Sequence, residues 1–394
     1  MIYIEGIAQK IPGTEMPSVL YRFWGIALLA GFLACSPERD AAPSASPTTA
    51  NRYARGFSIQ QMPGYRLVTL THPWEPGKNF AQYALIPRGA PRPVDLPEGV
   101  ALIHTPLQRV VLMSTAHAGF IAALGAQETV AGIGEKQYLS DSLLLARIGR
   151  ENLPELGRES AFNFETMIAL APEVVFFSGL SEMNDRLTRL QAAGIVPFYW
   201  IEWMEKHPLG RAEWIKLLGA LMQEDAAAER FFAERDSAYQ ALLSRSADLS
   251  RPREVLLASN YQGTWYMPGG HSFMAALLKD AGARYGWESD SSAGSLPLSF
   301  EVVLEKRLDA EVWLHPGAYT SLGELADADP RYRSFRSFQN GMVFNNDRRL
   351  NGRGGNDYWE SGLVNPHLIL ADLIHILHPQ LLPAHQLVYH RQLR

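Results

Sequence analysis

The sequence has almost no cysteine and no apolar run long enough to span a bilayer. Cys35 is the single cysteine among 394 residues, so a disulfide within the chain is excluded. A transmembrane helix needs about 20 apolar residues in a row, and no such stretch occurs. With 47% apolar and 20% charged residues, the composition is typical of a globular protein, and the length predicts about two domains.

Clustered positive charge is lacking as well. The net charge is −5, and no long run of lysine and arginine interrupts the acidic balance. A protein that binds a polyanion usually carries a basic patch. We therefore expect no nucleic acid among the partners of this protein.

The common catalytic motifs are also missing. The sequence contains no G-x-S-x-G nucleophile elbow, no P-loop and no dinucleotide-binding glycine fingerprint. No histidine pair has the spacing of a metal site, although a zinc or manganese carrier would need about three or four converging ligands. We therefore predict no enzyme activity, no catalytic residues, no metal site and no cofactor, with a hydrolytic enzyme as an alternative class.

The amino-terminal region has the pattern of an export signal. Residues 23–34 (FWGIALLAGFLA) form an uncharged apolar run that follows Arg22 and ends directly before Cys35. This length suits the apolar region of a signal peptide, and the pattern resembles the bacterial lipoprotein signal, in which the cysteine is lipidated. We predict a signal peptide at 1–34 and lipidation of Cys35. The alternative is an amino-terminal helix with an ordinary buried cysteine.

The segment that follows cannot bury a core. Residues 35–55 are rich in serine, alanine and proline, which is typical of a flexible tether. We therefore expect a soluble body that a lipid anchor holds near a membrane. Either Met1 or Met16 is compatible with the start of the chain, and Met16 leaves the more compact signal.

From residue 56 onward, apolar strands alternate with helical patterns. Residues 109–113 (RVVLM) and 173–177 (EVVFF) are typical of buried strands, and each is followed by a helical pattern. This alternation predicts an α/β fold with a mainly parallel sheet. Residues 65–70 and 80–86 precede it as strands and indicate an antiparallel addition to an amino-terminal lobe at 56–208.

The second half of the chain repeats the pattern of the first. RVVLMS in the first half matches REVLLAS in the second, and NFETMIALAPEVV matches SFEVVLEKRLDAEVW in the same order. Between the halves, apolar residues recur at helical spacing. We predict a bridging helix at 209–247 and a second lobe at 248–394.

Candidate ligand-binding residues follow from this topology, because ligands of α/β proteins lie outside the carboxyl ends of the strands. Tryptophan and tyrosine offer stiff contact area to a bulky ligand, and arginine pairs with anionic ligand groups. The candidates are His117, Trp203, Tyr261, Trp265, Tyr266, His271, Arg348, Arg353, Tyr358 and Trp359. The alternative is structural: satisfied histidines, an aromatic cluster that packs under a loop, and a solvated surface loop at 345–362.

These features together resemble the ABC-importer binding proteins of the cobalamin and iron-siderophore type. The resemblance covers about residues 100–379 and rests on the two matched helix-and-strand motifs, on TWYMPGGHSF (264–273) and on GGNDYWESG (354–362). It implies two Rossmann-like lobes joined by one long rigid helix, with the ligand cleft between the lobes. It also implies that Glu165 and Glu301, one at each helix start, dock onto arginines of a permease.

The resemblance implies a function for the whole chain. It predicts a monomeric lipoprotein that captures an iron chelate, a ferric siderophore, and delivers it to an ABC permease and its ATPase at a membrane facing the periplasm or the cell exterior. Cobalamin and haem are the alternative ligands, and haem would need an axial group such as Tyr261, Met267 or His271. A structural lipoprotein is a further alternative class.

Overall fold

The computed structural model describes residues 51–394, apart from 76, 180–183, 248 and 250. The predicted signal peptide, the predicted lipidation site Cys35 and the tether up to residue 50 lie outside the described residues. Among the described residues, no helix combines the length and the apolar character that a membrane crossing requires.

Residues 51–55 correct the prediction of a tether that extends to residue 55. Glu213 accepts hydrogen bonds from the backbone N–H groups of residues 52–54 at 2.7–2.9 Å, and Ala54 is buried. Glu205 accepts the N–H groups of the next two residues at 2.8–3.0 Å. The chain is fixed here because two buried carboxylates satisfy its backbone donors, which composition does not reveal.

An amino-terminal sheet precedes lobe one. Its strands are β1 (Phe57–Met62), β2 (Tyr65–Thr71), β3 (Asn79–Pro87) and β4 (Ala101–Thr105). β1, β2 and β3 pair antiparallel, and β4 joins β3 in parallel. Tyr83 on β3 fixes the sheet to lobe one, because its hydroxyl donates to the Pro197 carbonyl (3.2 Å) and accepts the Tyr199 N–H (3.1 Å).

Lobe one is a parallel sheet with strand order β6-β5-β7-β8. The strands are β5 (Val110–Leu112), β6 (Val130–Ile133), β7 (Val174–Phe177) and β8 (Val196–Tyr199). The helices are α1 (Thr115–Ala123), α2 (Ser142–Glu151), α3 (Phe164–Leu170) and α4 (Asn184–Ala192). The central strands β5 and β7 are apolar and fully buried, as expected where helices cover both faces of a sheet.

The connection between the lobes corrects the prediction of one continuous helix at 209–247. It consists of α5 (Pro208–Glu213), α6 (Ile215–Met222) and α7 (Asp225–Ser246). α6 ends because Gln223 adopts a left-handed conformation with φ 59°, and its N–H bonds to the Gly219 carbonyl. Gly219 also lets α7 cross closely, since a Cβ there would overlap Ala228.

α7 is the element that spans from one half of the molecule to the other. With 22 residues, it is about 33 Å long. Asp225 at its start forms an ion pair with Arg66 on β2 (2.7 Å). Tyr239 farther along donates to Asp280 of lobe two (2.7 Å).

Lobe two repeats the parallel architecture and adds a small antiparallel sheet, β10-β11-β13. The main sheet has the order β12-β9-β14-β15-β16, in which only β16 runs antiparallel. The strands are β9 (Arg253–Leu257), β10 (Asn260–Tyr261), β11 (Thr264–Pro268), β12 (Ala283–Tyr285), β13 (Ser295–Leu298), β14 (Val312–Leu314), β15 (Val343–Asn345) and β16 (Arg391–Gln392). The helices are α8 (Phe273–Asp280), α9 (Phe300–Arg307), α10 (Leu322–Ala328), α11 (Arg336–Gln339), α12 (Ser361–Val364) and α13 (Pro366–Leu377).

A continuous apolar core runs through both lobes and the connecting helices. Trp214 at the α5–α6 junction is fully buried, and its ring packs on Trp200 of lobe one at a centroid distance of 5.4 Å. The predicted two-lobed α/β fold is confirmed.

Candidate functional site

The carboxyl end of β5 leads directly into α1, where the sequence predicts a ligand contact at His117. Ser114 caps this helix by accepting the Ala116 N–H (3.2 Å). His117 is buried against Phe176 and Trp200, at centroid distances of 6.0 and 6.5 Å. Neither ring nitrogen has a hydrogen-bond partner among the described residues. Burial lowers the pKa of His117 to about 3, so the ring is neutral and enclosed.

Glu360 of lobe two lies where the two lobes meet. Its carboxylate accepts the N–H groups of Ser140 (2.7 Å) and Asp141 (2.6 Å) in lobe one. Burial raises the pKa of Glu360 to about 8. The two hydrogen bonds lower this pKa by less than burial raises it, and the charges of Asp357 and Asp141 raise it further. Glu360 lies within the motif GGNDYWESG, and no local sequence pattern predicts its contact with lobe one.

Glycine makes close approach possible at the same place. A Cβ on Gly119 of α1 would overlap the Glu360 carbonyl group, so only glycine fits this helix position. A Cβ on Gly355 would likewise overlap the Tyr138 carbonyl group of lobe one. The backbones of the two lobes are therefore in direct contact at Glu360 and at Gly355.

Asn351 extends this contact. Its Nδ2 donates to the carbonyl oxygens of Gln137 and Leu139, both at 2.7 Å. Its Oδ1 accepts the N–H groups of Arg353 (2.9 Å) and Gly355 (2.9 Å) and so orders its own loop. Residues 351–360 thus form an interlobe loop that holds the lobes together along one side of the predicted cleft.

The candidates Tyr261, Trp265 and Tyr266 lie on a hairpin of β10 and β11, and their alternating burial corrects the prediction for Trp265. Strand alternation turns Trp265 and Met267 into the core of lobe two. Trp265 is fully buried, stacks on Trp313 at 6.0 Å and donates to the Leu257 carbonyl (2.8 Å). It cannot reach a ligand, whereas Tyr261 and Tyr266 are half-buried with part of each ring accessible.

The prediction for Tyr358 is also wrong, because its side chain is buried in lobe two. Its ring packs edge-on against His315 (5.6 Å) and His390 (5.8 Å). The neighbouring Trp359 is half-buried and contacts Tyr358 at 4.7 Å. Both residues belong to the interlobe loop, and of the two only Trp359 has accessible surface.

The other candidates lie at several separate places. Trp203 is half-buried on lobe one, donates to the Ser178 carbonyl (2.8 Å) and lies 6.5 Å from the exposed Trp74. His271 is exposed near the β11–α8 turn, and Arg353 is exposed on the interlobe loop. Arg348 is exposed beside β16, where its N–H donates to the Tyr389 carbonyl (3.1 Å).

A buried histidine and aspartate network at the carboxyl end of β14 escaped the sequence analysis. His315 follows this strand with φ 54°, and its Nε2 lies 2.8 Å from Nε2 of His390. His390 Nδ1 in turn bonds to Asp372 (3.0 Å), which also accepts from His385 (2.7 Å). Burial and the neighbouring His390 hold the pKa of His315 well below its usual range. His315 is far in sequence from the other three residues, so spacing gave no signal for the complete network.

No group of three or more histidine, cysteine, aspartate or glutamate side chains in the described part of the chain is arranged to hold a metal ion. His315 and His390 converge, but the carboxylate beside them is fully used. Asp372 accepts five hydrogen bonds, three of them from the backbone N–H groups of residues 388–390. This network stabilises the carboxyl-terminal segment.

The two glutamates predicted to dock a permease occupy equivalent positions. Asn163 caps α3 and Ser299 caps α9, and the glutamate is the second residue of each helix. Glu165 and Glu301 are both exposed, and Arg331 approaches Glu301 at 3.4 Å. Each lobe therefore presents one carboxylate at a helix start, which the helix dipole also favours.

The fold and this interlobe site define a two-lobed binding protein. A profile of the periplasmic binding protein family matches residues 110–350, and the chain belongs to this family. It is therefore a solute-binding protein of the ABC-transporter type. The amino-terminal sheet lies outside the matched residues.

Individual relatives are distant. An uncharacterised lipoprotein of Methanocaldococcus jannaschii is 25% identical over 72% of this chain and 68% of its own length. The periplasmic haem-binding protein HutB of Vibrio cholerae has a similar structure, with a TM-score of 0.53 at 19% identity over 67% of this chain and 98% of its own. An ABC-type Fe3+-hydroxamate transport protein of Saccharomonospora viridis has a TM-score of 0.51 at 18% identity, over 68% and 93%.

Proposed function

We propose that this protein is an exported, lipid-anchored carrier that binds a ferric chelate, of the siderophore type, between its lobes and delivers it to an ABC permease. The observation that carries the ligand class is aromatic surface near the carboxyl ends of strands in both lobes. Lobe one offers Trp203, which lies 6.5 Å from the exposed Trp74 of the amino-terminal sheet. Lobe two offers Tyr261 and Tyr266 on the hairpin and Trp359 within the interlobe loop. Such rings suit a bulky ligand with flat faces.

The names of similar proteins support the same ligand class. One solved structure is named for Fe3+-hydroxamate transport and another for haem binding. Haem is accordingly the second candidate, and the half-buried Tyr261 and exposed His271 are the side chains able to supply an axial group. The anchor is proposed from Cys35 behind its apolar run and from the relative that is named a lipoprotein.

Native mass spectrometry tests the proposal on a body that begins at Asn51, because residues 52–56 are fixed by the buried carboxylates. The protein is purified from its own host under iron limitation. We expect one iron-containing chelate per chain. Finding haem or a cobalt corrinoid instead would change the proposed ligand and leave the proposed carrier function in place. An empty protein with no thermal shift on adding any of the three would overturn the proposal.

A matched pair of variants connects the ligand to the aromatic surface. We expect Tyr266→Ala to weaken binding of the identified chelate at least tenfold, which corresponds to about 1.4 kcal/mol. Phe231→Ala removes a half-buried ring from α7, away from the strand ends, and should leave the affinity unchanged. Equal losses in both variants would contradict the assignment of the hairpin to the ligand.

A further inference from the structure

A cavity of about 460 Å³ lies on the flank of lobe two, between strand β15, the edge strand β16 and helix α13. Its size falls within the range of about 300–1,000 Å³ that is typical of small-molecule sites. The interlobe contacts come from residues 351–360, which are not among its walls. The cavity is therefore distinct from the proposed cleft.

Arginine side chains make the cavity cationic. Arg391 is held in place by Asp347 (2.6 Å) and by the Thr320 carbonyl (3.0 Å). Arg348 and Arg394 also line the cavity, and neither guanidinium group has a carboxylate partner in the described part of the chain. Asp347 and the nearby Glu324 offset the charge of Arg391, so the exposed Arg348, whose guanidinium group has no such partner among the described residues, is the group that favours an anion here.

The remaining walls are largely apolar. Met342 and Phe344 reach the cavity from the β15 side, and they lie two residues apart, which places them on one face of the chain. Ile376 of α13 and Leu387 close the cavity from the other side. His375 contributes a polar wall, with its Nδ1 fixed at 2.9 Å from the Leu382 carbonyl.

We propose that this cavity binds a small amphipathic carboxylate, with its anionic head at Arg348 and Arg391 and its apolar body between Phe344 and Ile376. A guanidinium group binds a carboxylate through two parallel hydrogen bonds, which fixes orientation as well as charge. Apolar walls of this size bury an aryl or short alkyl group. The site does not depend on the identity of the ligand in the interlobe cleft.

Isothermal titration calorimetry on the full-length protein tests the site with 2-naphthoate as the probe and 2-naphthamide as its neutral counterpart. We expect 2-naphthoate to bind and the amide to bind at least tenfold more weakly, because the amide cannot pair with the arginines. Inorganic phosphate should compete poorly, because it lacks an apolar body. Equal affinity for the acid and the amide, or phosphate binding as tightly as 2-naphthoate, would overturn the proposal.

Three variants locate the binding. Arg348→Ala should weaken 2-naphthoate binding at least tenfold, and Met342→Trp should fill the cavity and abolish binding while retaining every arginine. Arg333→Ala removes an exposed arginine from the same lobe but outside the cavity and should bind as the unmodified protein does. Circular dichroism melts check that each variant is folded. The proposed site would be wrong if Arg348→Ala and Met342→Trp both left the affinity for 2-naphthoate unchanged. It would also be wrong if the unmodified protein did not bind the probe at about 1 mM.

Discussion

At the scale of single residues, protonation of Glu360 at the contact between the lobes makes the stability of the protein depend on pH. Its folded-state pKa of about 8 lies above its ordinary value of 4.5. Between these two pH values the folded protein holds a proton that the unfolded chain has lost, so the free energy of unfolding falls as the pH rises from about 5 to about 8. We expect Glu360→Gln to remove this slope, which is at most about 1.4 kcal/mol per pH unit.

Urea unfolding of both proteins at several pH values between 5 and 9 measures this effect. The difference between the two curves isolates Glu360, because the buried histidines contribute equally to both. His117 and His315 have lowered pKa values and destabilise the fold only as the pH falls below their unfolded-state values. If the two curves ran parallel across this range, Glu360 would not titrate as the structure requires.

The place of a residue in the fold can be predicted from the sequence when nearby residues determine it, and not when distant ones do. The positions of Glu165 and Glu301 follow from a local pattern of capping residue, phenylalanine and glutamate at a helix start. The burial of Trp265 depends on pairing with β13, about 30 residues later in the chain, so a window around the tryptophan contains no signal for it. The role of Glu360 depends on the other lobe altogether.

At the scale of elements, two glycines in helices of lobe one test the lobe contact. Gly119→Ala in α1 places a methyl group against the Glu360 backbone, so we expect a loss of about 1–3 kcal/mol in stability. Gly149 in α2 has open space where a Cβ would project, so Gly149→Ala should stabilise by about 0.5–1 kcal/mol. Thermal unfolding compares the two. Similar shifts in both variants would mean that α1 does not pack on lobe two.

The carboxyl-terminal segment provides a second test at this scale. Asp372 on α13 is completely buried and accepts five hydrogen bonds, and those from His390 and His385 help to lower its pKa against the opposing effect of burial. We expect Asp372→Asn to destabilise the protein by about 3–5 kcal/mol, since buried donors lose their acceptor. Asp327→Asn on the exposed surface of α10 should change stability by less than about 0.5 kcal/mol. Denaturant titration that gave equal values would show that the network does not stabilise the fold.

Element boundaries were harder to predict than element types. Continuous apolar runs were enough to predict β5 and β7, because buried parallel strands are apolar throughout. The division of the connecting helix at Gln223 was not predictable, because a left-handed glutamine gives no sequence signal. It is fixed by the close crossing of α6 and α7 at Gly219, which exists only in the folded protein.

At the scale of the whole molecule, several contacts fix the two lobes relative to one another. α7 and the shared core limit how far the lobes can separate. The interlobe loop is held by hydrogen bonds to lobe one and by close backbone packing at Gly119 and Gly355. Wide separation of the lobes would break these contacts and expose the shared apolar core, which favours modest opening over a wide hinge motion.

The proposed docking of both lobes on a permease leads to the last prediction. Glu165 and Glu301 are exposed, occupy the same helix position and belong to different lobes. Exposed carboxylates that meet arginines contribute mainly orientation and association rate. We therefore expect Glu165→Ala combined with Glu301→Ala to abolish uptake of the ligand by whole cells, with its affinity for the purified protein unchanged. Each single variant should retain partial uptake, because one lobe can still orient the complex.

The control for this experiment is Glu305→Ala, which removes an exposed carboxylate from the same helix as Glu301, four residues farther along. It should support normal uptake, because it lies away from the helix start. Normal uptake by the double variant would exclude both glutamates as docking residues. Loss of ligand affinity in the double variant would instead place these glutamates in the binding of the ligand, and the two readouts together therefore separate docking from capture.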